Sequence, residues 1–300
     1  MDMILAILIR LIFWLIRLLP VRLAGAIGAG MGRIAYMLDS HHRQVALNNL
    51  ARVYPDKDEA WRIRIAHESF AELGRTFMEL PHVFLRSKAF LLSRIEVEGE
   101  EHLKAALQQG GGAFITACHH SNWELGGLSL SMLGYPSSVI YRPMKQKPFE
   151  AYLKSLRERF GATFQSRHNH NIRWIPQTLK AGGTIAVMID QSISNGVPVP
   201  FLGHMANTTI MPAAFALKQG TPMLGASLKR HGRGFRFTLR LWPIQPPAVT
   251  GDKAHDSAEF MHAVIQSFEP VIHQRPELWL WSHRRWRLLE EPELFNHGAS

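Results

Sequence analysis

The stretch FITACHHSNWELGG, residues 114–127, carries the clearest change of pattern in the sequence. Its first five residues are apolar or small and follow three glycines, as in a strand that is buried on both faces of a parallel sheet. Polar residues then interrupt the run, and either Ser121 or Asn122 can cap a following helix. The stretch therefore predicts a buried strand that ends at His119 and leads directly into a helix.

The same change of pattern recurs on both sides of this stretch. Short β-rich runs alternate with helical patterns of about three turns, and a hairpin is predicted to turn at residues 231–234. This alternation is typical of βαβ units and predicts an α/β fold with a mainly parallel central sheet flanked by helices. The predicted strands are 94–99, 113–118, 137–141 and 184–189, and the predicted helices are 22–38, 42–80, 99–109, 122–133, 148–159, 171–181 and 255–274.

The composition narrows the classes of function. The chain has 300 residues, of which 46% are hydrophobic and 19% charged, and this length can bury a large core without a disulfide or metal. Cys118 is the single cysteine, which excludes a disulfide framework and a cysteine-rich zinc module. A formal net charge of +10 favours anionic partners such as acidic lipid headgroups, phosphorylated substrates, nucleic acid or an acidic carrier protein.

An apolar segment opens the sequence. Residues 3–19 are apolar except for Arg10 and Arg17, and Pro20 ends the run. As a helix this segment would span about 25 Å, slightly less than a hydrocarbon core of about 30 Å. The two arginines share one helix face with Trp14 between them, so a helix in the membrane interface, with this face toward the headgroups, costs less than a spanning one. A core helix of a soluble protein is the alternative. The predicted organisation is a hydrophobic membrane anchor helix over residues 1–20, monotopic or single-pass, and a single α/β domain over residues 21–300.

His119 and Glu124 are the first candidates for chemistry. In open α/β sheets ligands gather at the carboxyl ends of strands, where His119 falls. Glu124, in the first predicted turn of the helix, could reach back to the imidazole, and a carboxylate on one ring nitrogen leaves the other free as a general base. Equally, Ser121 and Glu124 match a capping box, in which the carboxylate satisfies backbone N–H groups. The spacing leaves both arrangements open.

Other residues are weaker candidates from their own pattern. Asp190 follows the apolar run TIAVMI, residues 184–189, where a carboxylate can serve a site, a turn or a cap. Arg157 lies on a charged helix face, for which simple solvation is the ordinary explanation. Cys118 should point away from His119, because consecutive strand residues face opposite sides, and we expect a buried, unreactive thiol. The adjacent histidines lack a third ligand at a metal-binding spacing.

Further predictions concern the ends of helices and the tail. Asp56, with Glu59 three residues later, predicts a helix start. Asn207 or Thr208 is predicted to cap a helix over 210–219 that Gly220 ends. Two interpretations of the C-terminal tail stay open. Its tryptophans can belong to the core with its arginines at the surface, or both can contact the edge of a bilayer. The residues concerned are Trp279, Trp281, Arg284, Arg285 and Trp286.

Four blocks of the sequence resemble, in the same order, the late acyltransferases of lipid A biosynthesis, the lauroyl and myristoyl transferases. HHSNWE, residues 119–124, has the His-x4-Glu form of the wider lysophospholipid-acyltransferase-like superfamily. The other blocks are VIYRPMKQKPFEAYLKSLRERFGA (139–162), the Asp-containing stretch over 182–224, and RPELWLWSHRRWR (275–287). The likeness covers nearly the whole chain.

The resemblance implies roles for five residues and a fold. His119 would act as the general base on an acceptor hydroxyl, and Glu124 would orient and polarise it. Arg157 and Asp190 match functional positions of the family, and Arg142 matches a recurrent one, so we expect all three to bind substrate. The implied fold is like that of the glycerol-3-phosphate acyltransferases.

The resemblance also implies a reaction and its setting. A fatty acyl chain would pass from an acyl carrier protein thioester, or acyl-CoA, to a lipid A precursor, with no metal and no bound organic cofactor. The enzyme would sit at the cytoplasmic face of a bacterial inner membrane, with the carrier protein, a glycolipid acceptor and the anionic membrane surface as partners and no nucleic acid. Alternative acceptors are an ornithine lipid, a mannosylated lipid or a lysophospholipid. A non-catalytic basic binder of membrane or nucleic acid is the alternative of another class.

Overall fold

The computed structural model describes residues 2–168, 171–194 and 196–287. Nine strands occur in them: β1 (Ile95–Glu98), β2 (Ala113–Ala117), β3 (Ser137–Tyr141), β4 (Thr163–Ser166), β5 (Thr184–Met188), β6 (Val197–Phe201), β7 (His204–Thr208), β8 (Met223–Arg230) and β9 (Phe237–Ile244). The helices of the described residues are α1 (Asp2–Leu18), α2 (Val21–Leu38), α3 (Ser40–Val53), α4 (Glu59–Leu85), α5 (Lys88–Leu92), α6 (Glu100–Gln108), α7 (Trp123–Met132), α8 (Lys147–Arg157), α9 (Trp174–Lys180), α10 (Met211–Gln219) and α11 (Lys253–Gln274), with a 3₁₀ turn at Pro276–Leu278.

Seven strands form one sheet in the order β1-β9-β8-β2-β5-β3-β4. All neighbours are parallel except the β8–β9 hairpin, which is antiparallel. Consecutive residues of β2 point into two different cores on opposite faces of the sheet. Phe114 packs with residues of α3, α10 and α11. Ile115 packs with residues of α6, α7 and α8. Helices therefore cover both faces of the sheet. The predicted α/β fold with a mainly parallel central sheet is confirmed.

The register of β2 and β5 places two polar residues side by side. Ala117 at the end of β2 pairs with Met188 at the end of β5, and the backbone N–H of Ile189 donates to the carbonyl of Ala117 at 2.9 Å. His119 and Asp190 each lie two residues beyond this pair. They consequently emerge together at the carboxyl edge of the sheet.

Two helix starts differ from those predicted. The predicted helix 42–80 is divided into α3 and α4 by a loop over residues 54–58, and the N-cap of α4 is Asp58, which accepts the N–H of Trp61 at 2.7 Å. Asp56 does not cap it. Asn207 and Thr208 do not cap the next helix either, because both lie in β7 and the N-cap of α10 is Ile210.

Residues 197–208 form a two-stranded antiparallel hairpin that the sequence did not predict. It turns at Leu202 and Gly203, both with positive φ (48° and 79°), as in a tight hairpin turn. Asn207 and Thr208 belong to β7, and α10 begins after Ile210 without a side-chain cap. Gly220 ends α10 in the left-handed conformation, as predicted.

The two arginines of α1 contact other parts of the protein. The Arg17 Nε donates to the carbonyl of Leu85 at 3.1 Å, and the Arg10 guanidinium lies 4.7 Å from the ring centroid of Tyr152. Arg17 is half-buried through its bond to Leu85, whereas Arg10 and Trp14 are exposed. No helix in the described ranges is long and apolar enough to cross a bilayer. The large exposed apolar residues of α1 and α2 are Ile7, Leu8, Leu11, Ile12, Trp14, Leu15, Leu18, Leu23, Ile27, Met31, Ile34, Met37 and Leu38.

The C-terminal tail packs into the core. Trp279, Trp281 and Trp286 are at most 1% exposed, and the rings of Trp279 and Trp281 meet edge to face with centroids 4.7 Å apart. Arg285 is also fully buried and donates to the carbonyl of Asn207 at 2.6 Å. Of the two alternatives for this segment, the core is the one that the structure shows.

Candidate active site

A cavity of about 730 Å³ opens at the carboxyl ends of β2, β3 and β5. His119 stands on its wall among apolar side chains, whereas Arg157 and Glu124 lie on helices that flank the strands. Apolar lining of this kind suits an aliphatic chain, and a few polar groups can fix its reacting end. Six of the apolar lining residues are Val139, Phe164, Ile172, Trp174, Val187 and Met211.

His119 is bound to Asp190 through both its ring and its backbone. The Nδ1 atom lies 2.7 Å from Asp190 Oδ1, and the His119 backbone N–H donates to Oδ2 at 2.7 Å. Since an ionised carboxylate only accepts hydrogen bonds, Nδ1 carries the proton and Nε2 is left as an acceptor. Nε2 lies 3.3 Å from the side-chain amide of Gln191. This is the tautomer that a general base needs.

Asp190 is held as a charged group inside the protein. It is 2% exposed, and Trp279 Nε1 donates to its Oδ2 at 2.8 Å. Burial alone would raise its pKa, but the interaction with His119 and the hydrogen bonds from His119 and Trp279 lower the pKa to about 2. The carboxylate is therefore ionised at neutral pH and stabilises a positive charge on the imidazole.

Glu124 contacts Arg157 rather than His119. The Arg157 Nε donates to Glu124 Oε2 at 2.9 Å, and Nη2 forms a second bond to Oε1, so that the pair is bidentate. Asn122 caps α7 by accepting the N–H of Leu125 at 3.1 Å. Neither the predicted His119–Glu124 pair nor the capping box occurs, because Arg157 at the end of α8 offers the carboxylate a stronger partner.

Arg142 lies at the rim of the cavity. It is exposed and follows β3, and it also lines a smaller cavity of about 330 Å³ that His41 and His42 reach from α3. The structure therefore brings His119, Glu124, Arg157 and Arg142 to one cavity. Asp190 is placed directly behind His119 and does not line the cavity.

The family model for bacterial lipid A biosynthesis acyltransferases matches residues 2–288 of this chain. The chain belongs to this family. It is an acyltransferase, as its curated relatives are. It is 25% identical over 282 residues to the lipid A biosynthesis palmitoleoyltransferase of Escherichia coli K12, and the alignment covers 92% of this chain and 89% of that protein.

Two further relatives show the range of the similarity. The lipid A biosynthesis lauroyltransferase of Escherichia coli K12 is 24% identical over 285 residues, which are 93% of this chain and 90% of that protein. The phosphatidylinositol mannoside acyltransferase of Mycobacterium tuberculosis H37Rv is 23% identical over 223 residues, which are 73% and 68% of the two chains.

The neighbours of His119 in this acyltransferase are buried. His120 is 3% exposed and points to the carbonyl of Arg275, with Nε2 at 3.3 Å, and burial lowers its pKa to about 4. Cys118 is buried, and burial raises the pKa of its thiol. Of the two adjacent histidines, His119 alone lines the cavity.

The acyltransferase also has a buried ionic network behind the start of α7, which the sequence analysis missed. Arg230, on β8, donates at 2.8 Å to both carboxylate oxygens of Glu79 and at 2.6 Å to Glu72. Glu79 in turn accepts from the side chain of Asn122 at 2.9 Å. These bonds connect Asn122, the N-cap of α7, to α4 and β8. They thereby also fix the first turn of α7, which carries Glu124. No local pattern marks it, because its members come from three distant segments.

Proposed function

We propose that this acyltransferase moves a fatty acyl chain from an acyl carrier protein thioester to a hydroxyl of a lipid A precursor. The observation that carries the proposal is the His119–Asp190 pair on the wall of a largely apolar cavity. The names of the bacterial relatives support the acceptor. The basic surface, with its net charge of +10, suits an acidic carrier protein and a phosphorylated saccharide.

His119 supplies the base. Its Nε2 takes the proton of the acceptor hydroxyl as the oxygen attacks the thioester carbonyl, and the imidazolium then returns this proton to the departing thiolate. Asp190 stabilises the imidazolium through the bond to Nδ1. A positioned base contributes typically about 10²–10⁴-fold to the rate. Since the base is a side chain, the proposed chemistry requires neither a metal nor a bound organic cofactor.

Arg157, Glu124 and Arg142 have supporting roles in the proposal. The Glu124–Arg157 ion pair shapes the cavity beside His119 and keeps a buried guanidinium neutralised. Arg142, exposed at the rim, suits a phosphate of the acceptor or of the carrier's prosthetic arm. The membrane setting is proposed from the exposed apolar side chains of α1 and α2, which fit an interfacial position at the cytoplasmic face of the inner membrane.

A second acceptor class deserves a test. One relative is named a phosphatidylinositol mannoside acyltransferase, and this name supports a mannosylated lipid as the alternative acceptor. The same base could serve either acceptor, because His119 acts on a hydroxyl and not on the rest of the lipid.

The test is a transfer assay read by mass spectrometry. Purified protein in detergent receives acyl carrier protein thioesters of graded chain length, or the matching acyl-CoA, with a tetra-acylated lipid A precursor, a mannosylated lipid, an ornithine lyso-lipid or a lysophospholipid. We expect a gain of one acyl chain on the lipid A precursor, lost in His119→Ala and kept in the matched control His255→Ala, whose imidazole is exposed on α11. Gain on another acceptor would overturn the substrate, and full activity of His119→Ala would overturn the base.

A further inference from the structure

A second cavity, of about 760 Å³, lies where α1 meets α2 and shares no lining residue with the active-site cavity. Its wall is strongly basic, and none of the described carboxylate residues lines it. The basic lining residues come from α2, α4, the start of β1 and the β8–β9 turn: Arg22, Arg75, Arg94, His231, Arg233 and Arg236.

Most of this positive charge has no protein counter-ion. Arg75 is paired with Glu72, with Nε 3.1 Å from Oε2. Among the described residues, no carboxylate lies within ion-pair distance of Arg22, Arg94 or Arg233, whereas Glu72 is shared with the buried network. A concave surface with several uncompensated arginines raises the local potential and favours an anion.

Arg94 provides a sign of a missing partner. Its Nε atom is buried and forms no hydrogen bond within the described protein, while its guanidinium stacks over Phe90 at 5.0 Å from the ring centroid. A buried donor without an acceptor is costly. Because this Nε atom is closed to solvent, a ligand in the cavity meets the terminal guanidinium nitrogens of Arg94 first and reaches Nε only if the side chain reorients.

The wall formed by the β8–β9 turn is fixed in place. Arg230 Nη1 donates to the carbonyl of Gly234 at 3.0 Å, and Arg75 Nη1 reaches the carbonyl of Arg233 at 3.5 Å. Phe235 is buried and stacks on Phe90 with centroids 6.3 Å apart. The turn is thereby held by the buried ionic network, so the cavity is preorganised for a ligand.

An apolar surface continues directly from this cavity along α2. Arg22 and Ala26 line the cavity, and the residues that follow each of them, Leu23 and Ile27, are exposed on the neighbouring helix face. Leu18, just before the junction, is 57% exposed. A ligand with an anionic head and an apolar body would contact both the basic cavity and the apolar face beside it. A free anion would occupy only the cavity.

We propose that the arginine cavity binds the phosphate headgroup of a membrane lipid, with the lipid's apolar part against α2, at a site separate from that of acyl transfer. The planar guanidinium groups of Arg94 and Arg233 match phosphate oxygens in a forked geometry. The site would hold the protein at an anionic membrane in one orientation, and its occupation does not depend on the transfer reaction.

The experiment measures binding of the full chain to vesicles by flotation. Phosphatidylcholine vesicles with and without phosphatidic acid are compared for the wild type, for Arg94→Gln with Arg233→Gln, and for a matched control that carries Arg64→Gln with Arg240→Gln. Both control arginines are exposed outside the cavity. Since a basic residue near an anionic surface changes affinity about fivefold, we expect the cavity pair to lose about twentyfold on phosphatidic acid vesicles.

The outcomes separate a built site from general charge. Loss confined to the cavity pair and to phosphatidic acid vesicles supports the proposal, and the unfolding midpoint of each variant reports its fold. Should the pair be misfolded, Arg233→Gln alone, whose side chain is exposed, is expected to lose about fivefold. Equal loss in the control pair overturns the proposal. If inorganic phosphate raises the unfolding midpoint of the wild type but not of the cavity pair, while both proteins bind phosphatidic acid vesicles equally, the cavity belongs to a free anion instead of a lipid.

Discussion

At the residue scale, the imidazole of His119 is oriented by a partner 71 positions further along the chain. Asp190 bonds the ring at Nδ1 and the backbone N–H at the same time, so ring and main chain are fixed together. The low pKa of Asp190, about 2, means that the carboxylate keeps its charge when His119 becomes protonated. Glu124, five residues from His119, instead fixes Arg157.

Substitution of the two carboxylates should therefore give different kinetics. We expect Asp190→Asn to lower kcat by about 10²–10⁴-fold with little change in KM, because Asp190 lies behind the cavity wall and orients His119, the proposed base. Glu124→Gln should raise KM and destabilise the fold, because it leaves the guanidinium of Arg157 without its charged partner. Steady-state kinetics with acyl carrier protein thioesters measure both. Wild-type kcat in Asp190→Asn would show that another group orients His119.

At the element scale, α2 packs against α4 through glycines. The buried residues of α2 are glycines and alanines. A Cβ atom built at Gly28 would overlap the carbonyl of Gly74, and one built at Gly32 would overlap the carbonyl of Phe70. The two backbones consequently approach more closely than any larger side chain permits. This contact orients the apolar outer face of α2 and the arginine cavity at its start.

Two alanine substitutions on α2 should have opposite effects. Gly28→Ala forces overlap with the α4 backbone and should destabilise the protein by about 1–3 kcal/mol. Gly30→Ala meets open space, since nothing lies within 4 Å of its built Cβ, and should stabilise the helix by about 0.5–1 kcal/mol. Denaturant unfolding in detergent measures both free energies. If Gly28→Ala leaves the free energy of unfolding unchanged, α2 and α4 can move apart without loss of stability.

The sequence predicts most of the sheet because the inner strands are continuous apolar runs. It misses β4, a short and partly polar strand at the edge of the sheet. It also misses the separate β6–β7 hairpin, where Pro198 and Pro200 argue against a strand. His119 is found because a strand end is visible in sequence. Its pairing with Asp190 is not, because it depends on which two strands are neighbours.

The partners of charged residues are the least predictable part of the site. Arg10 and Arg17 suggest headgroup contacts from spacing alone, yet their contacts are Tyr152 and Leu85, far away in sequence. The predicted pairing of Glu124 with His119 is wrong for the same reason. The position where α8 ends places Arg157, and not the imidazole, beside the Glu124 carboxylate. Spacing limits which residues can meet on one element, but tertiary packing selects between candidates from different elements.

At the scale of the whole molecule, the active-site cavity is lined by residues of α7, β3, β4, β5 and α9, many of them apolar. Gly127 of α7 lines this cavity, and a Cβ built on it meets nothing within 4 Å. We therefore expect the free space beside Gly127 to influence which acyl chains the cavity accepts.

Filling this space should shorten the preferred acyl chain. We expect Gly127→Leu to reduce kcat/KM for the longest accepted thioester by about tenfold or more, since an added side chain removes room for methylene groups worth about 0.8 kcal/mol each. Gly127→Ala is the matched control and should change the preference little. Competition between thioesters of different length, read by mass spectrometry, measures the ratio. An unchanged ratio in Gly127→Leu would place the acyl chain elsewhere.

The bond from Trp279 to Asp190 has a consequence for the timing of synthesis. The indole that holds this carboxylate lies 89 residues further along the chain, and Arg285, which secures the end of β7, follows it. During translation the apolar helix α1 leaves the ribosome before the sheet, whereas the segment that holds Asp190 in place leaves after it. A nascent chain therefore presents the apolar surface of α1 well before Trp279 can hold Asp190 in place beside His119.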